Sequence, residues 1–270
     1  MDIGLITLFP QMFTALSEHG VSSRAIKSKL VNLHFWNPRD FTTDKHRTVD
    51  DKPFGGGPGM LMKTGPLLAA ISAAKEQLEQ PAPVLYLSPQ GRRLNQAAIR
   101  KMSTRRSMIL LCGRYQGIDA RVLDSVVDEE WSLGDFVISG GELAAMALID
   151  AITRLQPGAL GDADSARQDS FAEGIGNTGN SEGAGDVEGA GSTKSAGGLL
   201  HWPEYTRPQE FEGQQVPSVL LSGDHEAIRR WRLQQSLATT WRKRPDLLDS
   251  MELDAEQQEL LQQIIKSSKV

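Results

Sequence analysis

The stretch at 131–142, WSLGDFVISGGE, places glycines on both sides of the apolar run Phe136-Val137-Ile138. Glycine tolerates positive φ and lets the backbone approach a ligand closely. A strand between two such turns therefore suits a small molecule that is held largely by main-chain groups. The same pattern is also typical of an ordinary buried strand followed by a turn and a helix, so this stretch alone leaves both interpretations open.

Two shorter turns contain glycine in the same way, SPQG at 88–91 and GRYQG at 113–117, and each follows a predicted strand. In open α/β sheets, ligands bind outside the carboxyl ends of the strands. We therefore expect the three turns to converge at one edge of a sheet. Their convergence predicts a ligand site without identifying the ligand.

Phosphate-binding motifs are incomplete in this chain. The phosphate-loop pattern G-x-x-x-x-G-K-[ST] fails because Met62 stands where its second glycine should precede Lys63. The dinucleotide pattern G-x-G-x-x-G fails at its third glycine, and GGELAA at 140–145 contains no lysine. A ligand that is contacted by the backbone rather than through phosphates fits better, and S-adenosylmethionine matches that description.

Strand and helix patterns alternate, which predicts an α/β fold with a mostly parallel sheet and helices on both faces. Strands are expected at 3–9, 31–36, 83–87, 108–111 and 136–138, and helices at 25–30, 66–78, 95–102 and 118–127. Another helix is expected to begin near Ser139, which has the capping-box spacing to Glu142. Helical spacing predicts that its core face consists of Ala145, Leu148, Ile149 and Ile152.

A small helical domain is predicted in the last third of the chain. Asp224 is expected to cap a helix that ends near Arg244, and a last helix is expected at about 254–265. Before this domain, residues 173–198 contain nine glycines and only two sizeable apolar residues. Burial of this small apolar surface cannot offset the entropy that the segment would lose on becoming ordered. A flexible linker is therefore expected there.

The net charge is −5, and the acidic residues at 161–198 account for all of it. Two charged patches stand out in the remainder. The helix 224–244 has six basic residues against two acidic ones, and the loop 44–60 (DKHRTVDDKPFGGGPGM) mixes basic residues with three aspartates. Basic residues suit the phosphates of a nucleic acid, and an aspartate can accept from the amine and N1–H of guanine. Solvated surface charge is the plainer alternative for both patches.

The amino-terminal run MDIGLITLFPQ lacks a basic leader, and its apolar part ends early at Pro10, so no signal peptide is expected. No apolar run approaches the length of a membrane span. The single cysteine, Cys112, excludes an internal disulfide and a multi-cysteine zinc site, and its apolar neighbours predict a buried structural thiol. A cytoplasmic protein without membrane contact or a metal site is predicted.

Several motifs in the same order together resemble the bacterial tRNA (guanine-N1)-methyltransferases of the SPOUT class. They are the loop 43–62, SPQG, CGRYQGID, WSLGDFVISGGE, Asp169-Ser170-Phe171, YTRP and RRWR. The resemblance covers nearly the whole chain except the glycine-rich segment. It implies a knotted α/β methyltransferase domain at 1–160 with a C-terminal trefoil knot, a flexible acidic linker at 161–200, and a helical tRNA-binding domain at 201–270.

The resemblance further implies a homodimer with the active site at the subunit interface, S-adenosylmethionine as cofactor and N1-methylguanosine at tRNA position 37 as product. The cofactor-binding residues that it implies are Tyr86, Leu87, Ser88, Pro89, Gly113, Tyr115, Ser132, Leu133, Gly134, Asp135, Phe136, Val137, Ile138, Gly140 and Gly141. The candidate tRNA contacts are Asp50, Gly55, Gly59, Met60, Arg229, Arg230 and Arg232.

The resemblance implies that Asp169 is the general base and that Arg154 supports it. Outside the resemblance, Asp169 is a solvated acid of an acidic segment, and Arg154 pairs with Asp150 at i, i+4 on a helix. Gln116 stands where the family usually has a glutamate. Any contact that this glutamate makes to substrate or metal in the family is therefore in doubt for this chain.

Three other functions are open on the sequence. They are a non-catalytic RNA-binding protein on the same fold, which the Gln116 substitution favours, a methyltransferase of another RNA base, and an enzyme acting on a small nucleotide. The missing phosphate-loop lysine and the basic carboxyl-terminal helix count against the last of these.

Overall fold

The computed structural model describes residues 1–162, 165–172 and 198–268. The chain divides into two units, Met1–Gly161 and Asp162–Val270. Residues 173–197 of the predicted linker lie outside the described residues, so the flexibility of that segment stays a prediction. Within the described ranges, every helix is too short or too polar to cross a membrane.

The first unit alternates strands with helices, as its sequence pattern predicts. In chain order its elements are β1 (Asp2–Ile6), α1 (Thr14–Glu18), α2 (Gly20–Lys27), β2 (Asn32–Trp36), β3 (Asp50–Asp51), β4 (Leu61–Met62), α3 (Thr64–Gln77), β5 (Val84–Arg93), α4 (Gln96–Ser103), β6 (Ser107–Leu111), α5 (Ala120–Val126), β7 (Glu129–Ser132) and α6 (Gly141–Thr153). The helix that was expected at 25–30 is α2, which begins five residues earlier.

Five parallel strands form the central sheet in the order β2-β1-β6-β5-β7. Successive side chains of a strand point to opposite faces of the sheet. Leu85 and Leu110 accordingly pack with α4 and α6 on one face, whereas Tyr86 and Ile109 pack with α3 and α5 on the other. The predicted α/β class with helices on both faces is confirmed, and the trefoil knot stays a prediction.

Strand β5 continues past the predicted turn at 88–91. Leu87 and Arg92 both pair with Trp131 of β7, so residues 88–91 leave the ladder before the strand resumes. Gly91 lies so close to β7 that a Cβ at this position would be 2.3 Å from the Trp131 backbone nitrogen. The expectation that the strand ends at this turn is wrong, because pairing with β7 forms on both sides of a wide bulge.

The prediction of a strand at 136–138 is also wrong. The strand that pairs with β5 is β7, and residues 133–140 form bends and irregular chain. Phe136 and Val137 are 55% and 88% exposed. A run of apolar residues forms a buried strand only where a neighbouring strand supplies ladder bonds, and this run lies at the surface instead.

Helix α6 presents the predicted core face. Ala145, Leu148, Ile149 and Ile152 are all buried, and they pack against the sheet face that contains Leu85. The 3.6-residue spacing therefore identified this helix and its orientation correctly.

The second unit is mostly helical, as predicted. Its elements are α7 (Ser165–Gln168), β8 (Glu210–Phe211), β9 (Gln214–Gln215), α8 (His225–Lys243), α9 (Pro245–Asp249) and α10 (Ala255–Ser267). Asp224 caps α8 by accepting from two backbone N–H groups, and Asp254 forms a capping box at the start of α10. Leu233 and Leu237 of α8 pack with Leu260 of α10 in the core of this unit.

The chain segments on either side of residues 173–197 lie next to each other. Phe171 donates its backbone N–H to the Leu199 carbonyl at 3.1 Å, and a Cβ on Gly198 would lie 2.3 Å from the Ala172 oxygen. The hydroxyl of Ser170 accepts from the backbone N–H of His201 at 3.0 Å. Residues 170–172 and 198–201 are therefore held together within the second unit.

Candidate functional site

A pocket of about 470 Å³ opens at the carboxyl edge of the sheet in the first unit. Its wall combines the bulge of β5, the loop that follows β6 and the loop between β7 and α6. The lining residues are Tyr86, Leu87, Ser88, Pro89, Gly113, Tyr115, Gln116, Trp131, Ser132, Leu133, Gly134, Phe136, Val137, Ile138, Ser139, Gly140, Gly141 and Ala144. The three glycine-containing stretches converge as expected, and the volume is typical of a small-molecule site.

Close backbone approach at this edge requires glycine at two positions. A Cβ on Gly141 would lie 2.8 Å from Cys112 Cα and 2.9 Å from the Gly113 nitrogen. Gly141 donates its backbone N–H to the Gly113 carbonyl at 2.9 Å, which ties the start of α6 to the loop after β6. A Cβ on Gly113 would in turn lie 2.9 Å from the Tyr86 hydroxyl. Gly113 and Gly141, which both line the pocket, therefore pack tightly against their neighbours.

The loop 44–60, which contains Asp50, lies beside the loop after β6. Tyr115, which has φ of +62°, lines the pocket, and burial together with the neighbouring Asp50 carboxylate raises the pKa of its hydroxyl. Gln116 donates its backbone N–H to the Met60 carbonyl at 3.0 Å, and its side chain occupies the space where Gly59 would carry a Cβ. The candidate guanine contact thus adjoins the pocket rim.

Beneath the pocket rim lies a buried ion pair that the sequence pattern did not reveal. Glu142 is fully buried and accepts from Arg114 Nε at 2.8 Å and from the Thr7 hydroxyl at 2.8 Å. Arg114 also donates to the Ser139 carbonyl at 3.3 Å and lies over the Phe9 ring, 4.5 Å from its centroid. This pair joins the ends of β1 and β6 to the start of α6.

The predicted capping box at the start of α6 is wrong. Gly140 occupies the N-cap position, and no side chain caps the helix. Glu142 bonds to Arg114 and Thr7 instead, because burial beneath the loops brings those two polar side chains within reach. The sequence offered one signal, an acid at the start of an otherwise apolar helix, but it did not identify the partners.

An apolar patch surrounds the mouth of the pocket. Val137 is 88% exposed, and large parts of Phe136, Leu133, Ile138 and Leu143 are exposed as well. Clustered exposed apolar side chains of this kind mark an interaction surface more often than a solvated one.

The remaining predicted site residues of the first unit are absent from the lining of this pocket. Asp135 does not line the pocket and instead forms an exposed ion pair with Arg93 at 2.9 Å. Arg154 ends α6, where it is half-buried. Asp150, its neighbour one turn earlier, accepts from the Ser22 hydroxyl.

Asp169, the predicted base, belongs to the second unit. It follows α7, its side chain is exposed, and its carbonyl accepts from the Ala172 backbone N–H at 3.1 Å. Asp169 and Arg154 therefore belong to different units of the chain.

The three arginines of α8 have different surroundings. Arg229 bonds to Glu226 and Glu256, which holds the pKa of its guanidinium far above the usual value. Arg230 is half exposed and lies 3.8 Å from Glu259. Arg232 lies over the Trp202 ring, 5.0 Å from its centroid. Arg229 thus joins α8 to α10, and Arg230 is the more available of the two for an external phosphate.

Cys112 is fully buried, and burial raises the pKa of its thiol well above the ordinary value. The predicted structural role of this thiol agrees with its surroundings. Within the described part of the chain, no group of three or more histidine, cysteine or acidic residues is placed to hold a metal ion.

A family model described as tRNA (Guanine-1)-methyltransferase TrmD matches residues 1–250. Proteins named tRNA (guanine-N(1)-)-methyltransferase from Aeromonas hydrophila and Idiomarina loihiensis are each 53% identical to this chain over 98% of its length, covering 97% and 96% of their own. A protein of the same name from Pasteurella multocida is 53% identical over 98% of both chains.

Proposed function

This chain belongs to the tRNA (guanine-1)-methyltransferase family, and from that membership we propose that it methylates N1 of guanosine 37 in tRNA with S-adenosylmethionine as methyl donor. The observation that carries the proposal is the pocket of about 470 Å³ in which the glycine-containing loops converge. A cytoplasmic location stays a prediction.

The pocket fits a donor that is held mainly by backbone. Tyr86 and Leu87 would contact it from β5, Gly113 and Tyr115 from the loop after β6, and 132–141 from the remaining side. S-adenosylmethionine, when bound, supplies a methyl group on a positively charged sulfur. Arg114, which lies between Gly113 and Tyr115 in the chain, is paired with Glu142 at 2.8 Å, so its charge does not strongly oppose a positive ligand.

Asp169 is proposed to act on the acceptor base. N1 of guanine carries a proton, and the ring nitrogen is a poor nucleophile until that proton leaves. A carboxylate that accepts the N1 proton as the new N1–carbon bond forms is a general base. The exposed side chain of Asp169 leaves it accessible to such a substrate.

Arg154 is proposed to stabilise the charge that develops on the base. Loss of the N1 proton moves negative charge toward guanine O6, and a guanidinium that donates to this oxygen lowers the energy of the transition state. Asp50, beside Tyr115 at the pocket rim, is proposed to accept from the guanine amine.

A second copy of the chain is proposed to cover the apolar patch around the pocket mouth. Phe136 and Val137 would lose their solvent exposure in such a homodimer. The active site would then form at the subunit interface.

The direct test is incubation of the protein with an unmodified tRNA transcript and S-adenosylmethionine labelled in its methyl group, followed by nucleoside analysis. The proposed function predicts label in N1-methylguanosine, and a transcript with adenosine at position 37 should receive none. Tight binding of tRNA without any methyl transfer would support the non-catalytic RNA-binding protein instead. Label in another nucleoside would identify another RNA-base methyltransferase.

Substitution of Gly141 by alanine is expected to lower the affinity for S-adenosylmethionine by roughly tenfold or more, because the added methyl group would displace the neighbouring backbone. The added Cβ would lie 2.8 Å from Cys112 Cα, and the loops that form the pocket wall would have to move. Isothermal titration with the methyl donor measures the change. Gly65→Ala is the control, since a Cβ there meets nothing within 4 Å, and equal affinities of the two variants would refute the tight packing.

Alanine substitutions in α8 should separate RNA contact from structural support. Arg230→Ala is expected to weaken tRNA binding and to reduce the slope of log affinity against log salt by about 1, because one phosphate contact is lost. Arg229→Ala should instead lower the Tm by roughly 2–4 °C, because its ion pairs to α10 are lost. Binding titrations at several salt concentrations and thermal melts distinguish the two. A larger change of salt slope for Arg229→Ala than for Arg230→Ala would contradict this division.

A further inference from the structure

The second unit contains a pocket of its own, of about 520 Å³, and of the residues that line it only Arg232 was predicted to contact tRNA. It lies between the irregular chain that follows His201, the turn at 216–221 and the first turns of α8. The residues that line it are Trp202, Pro203, Glu204, Tyr205, Thr206, Arg207, Gln209, Val216, Leu220, Leu221, Ile228, Trp231 and Arg232.

Aromatic and apolar side chains form one side of this pocket. Tyr205 is 49% exposed, and its ring centroid lies 6.4 Å from that of Trp231, with the two planes inclined by 52°. Leu221 is 53% exposed beside them. An accessible tyrosine next to a tryptophan offers an aromatic face on which an unpaired base can stack.

Guanidinium groups supply the other side. Arg207 and Arg232 both line the pocket, and Arg232 lies over the Trp202 ring. Arg232 Nε is buried and makes no hydrogen bond to any described residue. A buried donor without an acceptor is costly, and a bound acceptor would remove that cost.

The one carboxylate in the lining belongs to Glu204, whose side chain is 66% exposed and forms no ion pair with Arg207 or Arg232. Glu204 accepts from the Trp202 indole N–H at 3.1 Å and lies 3.7 Å from His201 Nε2. The two arginines of the pocket therefore have no acidic partner within its lining, and the pocket suits a ligand that combines a flat ring with a negative group.

We propose that this pocket binds one unpaired nucleotide of the anticodon loop of the tRNA, the loop that contains position 37. Its base packs against Tyr205 and Trp231, and its phosphate accepts from Arg207 and Arg232. The inference rests on the proposed function, because that function supplies the single-stranded RNA. It adds a second nucleotide subsite, in the helical unit, to the site of the methylated guanine.

The test compares full-length variants for binding to an unmodified tRNA transcript, measured by fluorescence anisotropy. Tyr205→Ala is expected to weaken binding by roughly tenfold, as loss of one stacked base does, whereas Tyr205→Phe keeps the ring and should bind within about twofold of the original protein. Phe211→Ala is the matched control, because Phe211 is a 65% exposed aromatic residue outside the pocket. Arg207→Ala should weaken binding and reduce the salt slope by about 1.

Transcripts that each lack one base of the anticodon loop identify the stacked nucleotide. The original protein should bind one of these transcripts as weakly as the Tyr205→Ala variant binds the intact transcript. For that transcript, the Tyr205→Ala variant and the original protein should bind with the same affinity. Additive losses for every transcript, or unchanged binding by Tyr205→Ala, would overturn the subsite. A dimer that dissociates in Tyr205→Ala, seen by sedimentation, would assign the pocket to a second copy of the chain and also overturn it.

The original protein separates this inference from the proposed function. If it fails to methylate the intact transcript, the proposed function fails. If it methylates normally while Tyr205→Ala, Arg207→Ala and Phe211→Ala all bind alike, only the nucleotide subsite fails.

Discussion

Replacement of Asp169 by asparagine is expected to lower methyl transfer to tRNA by roughly 10²–10⁴-fold, the usual contribution of a general base. Asparagine keeps the size of the side chain and its ability to accept a hydrogen bond, but it cannot take up the N1 proton of guanine. The exposed position of Asp169 predicts little change in stability. Single-turnover methylation of an unmodified transcript, with donor and enzyme in excess, measures the loss in the chemical step.

Two further measurements make this prediction specific. S-adenosylmethionine should bind to Asp169→Asn as tightly as to the original protein in a calorimetric titration, because the donor pocket belongs to the first unit. Asp162→Asn changes another acid of the same acidic segment and should leave turnover unaltered. If Asp169→Asn turns over at the original rate, Asp169 is not the base and another acid must be sought.

Replacement of Arg114 by methionine is expected to destabilise the protein by about 3–5 kcal/mol, which is the usual cost of leaving one member of a buried ion pair uncompensated. Glu142 is fully buried, and Arg114 Nε is its 2.8 Å partner. The loss corresponds to a fall in Tm of roughly 5–15 °C. Donor affinity should fall as well, because Arg114 also donates to the Ser139 carbonyl at the pocket rim. Thermal melts and calorimetric titrations measure the two effects.

Two variants serve as controls for the buried pair. Arg93→Met breaks the Arg93–Asp135 pair, whose side chains are 68% and 87% exposed, and should change the Tm by no more than roughly 2 °C. The double variant Arg114→Met/Glu142→Gln removes the unpaired charge, keeps an acceptor for the Thr7 hydroxyl, and should recover much of the stability. A similar Tm for Arg114→Met and Arg93→Met would show that the buried pair contributes no more than a surface pair.

The sequence predicted the elements whose signals are local. The spacing of Ala145, Leu148, Ile149 and Ile152 identified the buried face of α6, and Asp224 marked the start of α8. Such signals succeed because helix periodicity and capping involve residues only three or four positions apart. Glycine turns after strands also predicted one shared edge, because parallel strands place their carboxyl ends together.

Only the tertiary structure decided the features that depend on distant partners. Thr7 and Glu142 bond across 135 positions, and no local pattern links them. The exposed run at 136–138 had the composition of a strand, but a strand forms only where a neighbouring strand supplies hydrogen bonds. On this side of β5 the paired strand is β7, so the run at 136–138 remains outside the sheet. Arg229 and Arg230 are adjacent in sequence, yet α10 supplies carboxylates that bind the first far more closely than the second. Composition determined which side chains could pair, and chain packing determined which of them do.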